Sequence, residues 1–239
     1  MAVSGSTDFS VNRDQLIRDS LSMVGAQAPD EAMTDSELQE ASRTLNMMLK
    51  AWQTDGLQLW LRRSVSVVLI ADTASYTLGP GGATVTGRPL KILKVMRKDS
   101  SSPAGEVEVF KLTQDEYQDQ TPKLTTGVPV SYYYDPQLTN GNLYIWPAPS
   151  SVEVGEYTLE VLYQKPTDDM DDATDDFEFP QEWFEVIKYG LAIRLAVIYG
   201  LPNEDRKQLY YEFKPMKDKL DEWDQESGSI YFQPDRYRS

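Results

Sequence analysis

The spacing of apolar residues changes twice along this chain, and those two changes constrain what it can fold into. From Asn12 to Trp52 apolar residues recur every three to four positions. From Arg63 to Tyr163 that spacing is lost, and from Pro180 it returns. Helical spacing puts apolar side chains on one face of a helix, whereas short alternating runs mark strands. The chain reads as helices, then a block of strands, then helices again.

Local signals refine this. Asn12 with Gln15, and Thr34 with Glu37, have capping-box spacing. Leu16, Ile17, Leu21 and Val24 share a face before Gly25, and Leu38, Ala41, Leu45, Met48, Leu49 and Trp52 do so before Asp55-Gly56. Together they predict an antiparallel helical hairpin. The run Val65, Val67, Val68, Leu69, Ile70 opens the strand block, with candidates at 64–70, 75–78, 89–97, 106–110, 129–134, 142–146 and 156–163. Turn clusters separate them, at Gly79 to Gly82, Ser100 to Gly105, Asp135-Pro136 with Asn140-Gly141, and Pro147 to Ser151; residues 111–120 predict one short helix. This pattern suggests an antiparallel sheet or small barrel.

Asp168, Asp169, Asp171, Asp172, Asp175 and Asp176 then read as a self-repelling linker. Pro180 opens a helix apolar on nearly every side, Gly200 ends it, and Asn203 caps a last helix to about Gln225, which Pro215 should kink or break. Each helical pair exposes one apolar stripe, and packing the pairs together buries both. The expected fold is α+β: an antiparallel four-helix bundle core with an inserted antiparallel β domain and an extended C-terminal arm. The expected boundaries are 1–62 for the N-terminal hairpin, 63–166 for the β domain, 167–179 for the acidic linker, 180–226 for the C-terminal helices and 227–239 for the arm.

Composition removes much chemistry. There is no Cys and no His, so thiolate nucleophiles, zinc-thiolate sites, imidazole bases and His-containing triads are excluded. With 23 Lys+Arg against 38 Asp+Glu, the net charge of −15 opposes phosphate gripping across a nucleic-acid footprint. The sequence shows neither an eighteen-residue apolar run nor a secretory leader pattern, so no membrane contact and a cytoplasmic site of synthesis are expected.

Four constellations remain. Gly79-Pro80-Gly81-Gly82 lacks the Lys-Ser/Thr ending of a phosphate loop and reads as a turn. The aspartate cluster lacks the spacing and central glycine of a calcium loop, so no metal or other cofactor is expected. Glu178, Glu182 and Glu185 beside Trp183 and Phe184 are the best carboxylates for a glycan hydrolase. Trp52, Trp60, Trp183 and Trp223 read as packing residues. Tyr132, Tyr133 and Tyr134 alternate opposite Tyr144 and Trp146, so one face of that hairpin is core and the other an aromatic surface; Tyr132, Tyr134, Tyr144 and Trp146 are the candidate interface with a neighbouring molecule. The C-terminal residues Ile230, Tyr231, Phe232, Arg236, Tyr237 and Arg238 have the composition of a docking arm.

An ordered series of segments carries a resemblance: "LNMMLKAWQTDGLQLW" from Leu45, "SYTLGPGG" from Ser75, "RPLKI" from Arg88, "GVPVSYYYD" from Gly127, "LYIWPAP" from Leu143 and "FPQEWFEVIKYGLAIRLAVIYGLP" from Phe179. The chain resembles head-to-tail adaptor proteins of short-tailed double-stranded DNA bacteriophages, also called tail accessory factors or packaged-DNA stabilisation proteins. The resemblance implies a structural subunit of the virion neck, assembled in the host cytoplasm as a ring of twelve copies beneath the portal protein. Its further partners would be neighbouring copies and tail tube, nozzle or other tail proteins. Genomic DNA would pass through without sequence-specific contact. The Ile230 to Arg238 arm would reach along the portal, and no catalytic residue is implied. The alternative is a carboxylate-dependent peptidoglycan or glycan hydrolase centred on Glu182.

Overall fold

The computed structural model describes residues 5, 9–28, 32–55, 59–82, 87–100, 105–172, 175 and 177–224. The expected helix stop at Gly56 and the arm from Ile230 to Arg238 lie outside the described residues. In chain order the elements are α1 (Arg13–Met23), α2 (Asp35–Asp55), β1 (Arg62–Val68), β2 (Ser75–Leu78), β3 (Lys91–Asp99), β4 (Glu106–Lys111), α3 (Gln114–Asp119), β5 (Ser131–Pro136), β6 (Gly141–Trp146), α4 (Ser151–Glu156), β7 (Tyr157–Gln164), α5 (Phe184–Ile198) and α6 (Asn203–Trp223).

Both capping boxes form. Gln15 N donates to Asn12 Oδ1 at 2.9 Å and Asn12 N to Gln15 Oε1 at 3.1 Å. Thr34 N donates to Glu37 Oε2 at 2.8 Å and Glu37 N to Thr34 Oγ1 at 3.3 Å. Helix α1 stops at Gly25, whose φ of +70° favours glycine, with Ala26 N donating back to Leu21 O at 3.1 Å. Gly200 does the same for α5, also at φ +70°, with Leu201 N on Ala196 O at 2.9 Å.

Backbone contacts divide the chain into two compact units, Met1–Trp60 with Asp169–Ser239, and Leu61–Asp168. In the first, α5 is the hub: Phe184, Val186, Ile187, Leu191 and Leu195 are buried, and α1, α2 and α6 all pack against it. Trp183, at the start of α5, meets Trp60 edge-on at 5.0 Å and Trp52 at 6.3 Å. Gly190 lets Trp52 in, since a Cβ there would lie 2.8 Å from the indole.

Two expectations about this unit are corrected. Helix α6 follows Pro202 rather than an Asn203 cap, and it continues as one helix through Pro215. The ion pairs Lys214–Asp218 at 2.5 Å and Lys217–Asp221 at 2.7 Å bridge successive turns around the proline and offset part of its cost. The acidic stretch is a docked strap, not a free linker. Met170 between its aspartates and Phe177 and Phe179 just after them are buried, Arg13 Nη1 donates to Asp171 O at 2.5 Å, and Met170 N donates to Asn46 Oδ1 at 3.0 Å.

The second unit is a seven-stranded sheet in the order β1-β7-β3-β4-β5-β6-β2, curled into a half-barrel. The short strands and turn clusters of the sequence predict antiparallel pairing throughout, yet β4 and β5 run parallel, Phe110 opposite Ser131 and Lys111 opposite Tyr132. The physical reason is α3, which carries the chain between them as a crossover instead of a hairpin. Val67, Leu78, Val95, Leu143, Ile145, Leu159 and Val161 fill the concave core. Helix α4 replaces an expected turn, with Ser150 and Glu153 forming its own capping box.

The expected antiparallel four-helix bundle core with an inserted antiparallel β domain is therefore overturned: among the described residues there are six helices and a mixed, curled seven-stranded sheet. A helix that is apolar on nearly every side takes neighbours on several sides, so α5 packs against α1, α2 and α6 instead of lending one stripe to a shared bundle interior.

Burial in the sheet gives one pH prediction. Burial first, then the nearby Glu108 carboxylate, pushes the Tyr132 phenol up to about 12. Burial pushes Tyr134 up to about 12 against Arg88 and with Asp135, and its hydroxyl donates to Pro89 O at 2.6 Å. A phenol whose folded pKa exceeds its unfolded value holds its full stability below the ordinary value of 10 and loses it as pH rises through about 12. Urea midpoints followed by tyrosine absorbance should fall across that window, and Tyr132→Phe should reduce the dependence. A midpoint flat over the window would contradict it.

Candidate functional site

The glycine turn and two of the aspartates are engaged within the fold. Gly81 N donates to Asn140 Oδ1 at 2.9 Å and Gly82 N to Gly79 O at 2.8 Å, so those donors are used within the fold instead of facing an anion. A Cβ on Gly82 would lie 2.1 Å from Thr77 O, which explains the glycine by close approach of backbone. Asp168 pairs with Lys165 at 3.3 Å and Asp169 with Lys50 at 2.7 Å, and no group of three or more metal-ligating side chains occurs among the described residues. Glu182 and Glu185 are exposed, and Glu178 is half-buried beside the buried Phe177 and Phe179.

The aromatic hairpin is different. Its register sets Tyr132 opposite Ile145, Tyr134 opposite Leu143, Tyr133 opposite Tyr144 and Ser131 opposite Trp146. Opposed residues of an antiparallel pair share a face. Tyr132 and Tyr134, 2% and 9% exposed, point into the half-barrel. Tyr144 and Trp146 are half-buried on the outer face. The expected group of Tyr132, Tyr134, Tyr144 and Trp146 is thus split between two faces, and Tyr133, which belongs with the outer pair, was not in it. The two-residue period held the signal, because Tyr133 differs in parity from both its neighbours.

Helix α3 builds on that outer face. Tyr117 lies 5.8 Å from Tyr133 and 5.5 Å from Tyr144, which are themselves stacked at 5.9 Å and 16°. Lys123 Nζ sits 4.1 Å over the Tyr117 ring and donates to its carbonyl, and Trp146 Nε1 donates to Pro122 O at 3.3 Å. Desolvation is the main cause that raises the Tyr117 and Tyr133 phenols, with Tyr144 adding to both and Asp135 to Tyr133. Around this cluster Phe110, Leu124 and Val130 remain 69%, 91% and 43% exposed. The arrangement is aromatic and flanked by exposed apolar side chains. It can bury a partner.

Comparison with known proteins identifies a family. The family model described as SU10 adaptor protein matches residues 12–233, from the Asn12 cap through α6 and into the tail. No curated protein matches the chain. With a match that takes in both units, the chain belongs to the SU10 adaptor protein family, structural head-to-tail adaptors of bacteriophages.

Proposed function

We propose that the protein forms a ring beneath the portal, extends the DNA channel, retains the packaged genome and offers a platform for tail proteins. The observation that carries this reading is the family match over residues 12–233. Three features support it. The outer aromatic face around Tyr133, Tyr144 and Trp146 suits a neighbour or tail protein. The arm Ile230 to Arg238 suits the portal. The charge of −15 keeps DNA free to slide, since neutralised phosphates would add affinity. No helix among the described residues is long and apolar enough to cross a membrane.

The same charge makes subunits repel in the absence of a partner. The isolated protein is therefore expected to be monomeric by mass measurement and to add a collar to purified portal rings in electron micrographs. Bare portal rings after mixing would refute the function. A stable ring of the isolated protein would refute only the order of assembly.

A further inference from the structure

The hub helix α5 is apolar almost all round, and α1, α2 and α6 leave one part of it open. There, Ile193 and Val197 of α5 and Asn203, Arg206, Lys207, Tyr210 and Tyr211 of α6 line a groove of about 380 Å³. Its apolar side chains are far from covered: Val197 is 63%, Tyr210 47% and Tyr211 73% exposed, with Ile198 beside them at 47%. Helix α6 itself has no buried residue among its 21, so the groove wall is a helix held on one side only. A long helix gains most of its stability from packing, which makes the open side a face awaiting a partner.

The charge of the groove says what kind of partner. Arg206 and Lys207 line it and no carboxylate does, and Arg194 is exposed next to Ile193. Lys207 pairs with Glu204 at 3.2 Å, but both ends of that bridge are exposed, so it is worth little and is easily exchanged. In a chain with 38 acids against 23 bases, a cationic, apolar groove stands opposite in sign to most of the molecule's own surface. We propose that the groove between α5 and α6 receives an acidic surface of a second copy of this chain. The groove and the acidic surface are different patches, so the contact is heterologous, the type that closes into rings. The proposal rests on the ring reading above and assigns that ring its subunit contact.

The test uses the full chain with a photo-reactive benzoylphenylalanine in place of Tyr211, irradiated on portal rings. A second sample carries the probe in place of the exposed Lys91 of β3 as a control. The expected result is a ladder of adaptor–adaptor cross-links from position 211, reduced about tenfold by Arg206→Glu with Lys207→Glu, since like charges then face each other. Added salt should weaken the ladder too. Cross-links from position 211 to portal protein, or collars without cross-links above the control, would overturn the proposal. If no collar forms, the functional reading has failed, and irradiation of concentrated protein alone decides the groove. Adaptor–adaptor products that the charge reversal removes then keep the inference, and their absence ends it.

Discussion

Removing Ser229 to Ser239 is expected to abolish docking on portal rings while leaving thermal unfolding unchanged. The unfolding half of this result follows from where α6 finishes. The helix ends at Trp223, and Asp224 N closes it by donating to Leu220 O at 2.9 Å. The cut falls beyond this closure and beyond the described residues that form both hydrophobic clusters of the helical unit. The docking half follows from composition. Aromatic and arginine side chains dominate the energetics of protein interfaces, and truncating a single hot spot costs about 2 kcal/mol or more. Tyr231, Phe232, Arg236, Tyr237 and Arg238 supply five candidates. If two of them are hot spots, the loss is already on the order of 10³-fold. Co-sedimentation with portal rings and calorimetry measure the two halves separately. Normal docking by the truncated chain would exclude the arm as the anchor, and Tyr231→Ala with Phe232→Ala tells whether the aromatic residues carry it.

The second large effect concerns the hub. Trp183→Ala should destabilise the helical unit by about 3–5 kcal/mol, the range for emptying a large aromatic site. Trp183 is 1% exposed and touches Trp60, Trp52 and Phe179, with ring centroids at 5.0, 6.3 and 6.4 Å. Its removal leaves three large rings without a common neighbour. Gly190→Ala is the graded companion. Its Cβ would press on the Trp52 ring at 2.8 Å and Met48 Sδ at 3.0 Å, an overpacking cost of about 1–3 kcal/mol. Denaturant unfolding followed by tryptophan fluorescence reports both. A loss under about 1 kcal/mol for Trp183→Ala would show that the cluster collapses around the gap, contrary to the packing argument.

The sequence was most informative where structure is local. Capping spacing located the starts of α1 and α2, and alternation located all seven strands to within a few residues, because both signals are made by neighbours along the chain. The Ser150–Glu153 box that begins α4 was equally visible, but the Pro147 to Ser151 turn signals masked it. Pairing was less legible. Nothing in the alternation of β4 and β5 distinguishes a parallel from an antiparallel neighbour, and only the crossover through α3 decides it. The aspartates hid Met170, Phe177 and Phe179, whose burial turns an apparent spacer into a strap. At the aromatic face, the two-residue period separated Tyr133 from Tyr132 and Tyr134, yet which set faces inward depends on where the rest of the sheet lies.

The contact pattern also sets an order of events during synthesis. Strand β1 ends at Val68 and its ladder partner β7 begins at Tyr157, so one edge of the sheet cannot be completed until the chain has been made past Gln164. Helices α1 and α2, finished by Asp55, wait longer still, because α5 starts only at Phe184. Leu16, Ile17, Leu45 and Met48 therefore leave the ribosome before α5, the main partner of their apolar faces, has been made. Contacts so distant in sequence form late and leave such faces open to aggregation or chaperone capture in the meantime. A stalled or prematurely terminated chain lacking α5 would thus be a hazard to the host cell, and yields of this protein should respond to chaperone level more than those of a helical protein with neighbouring contacts.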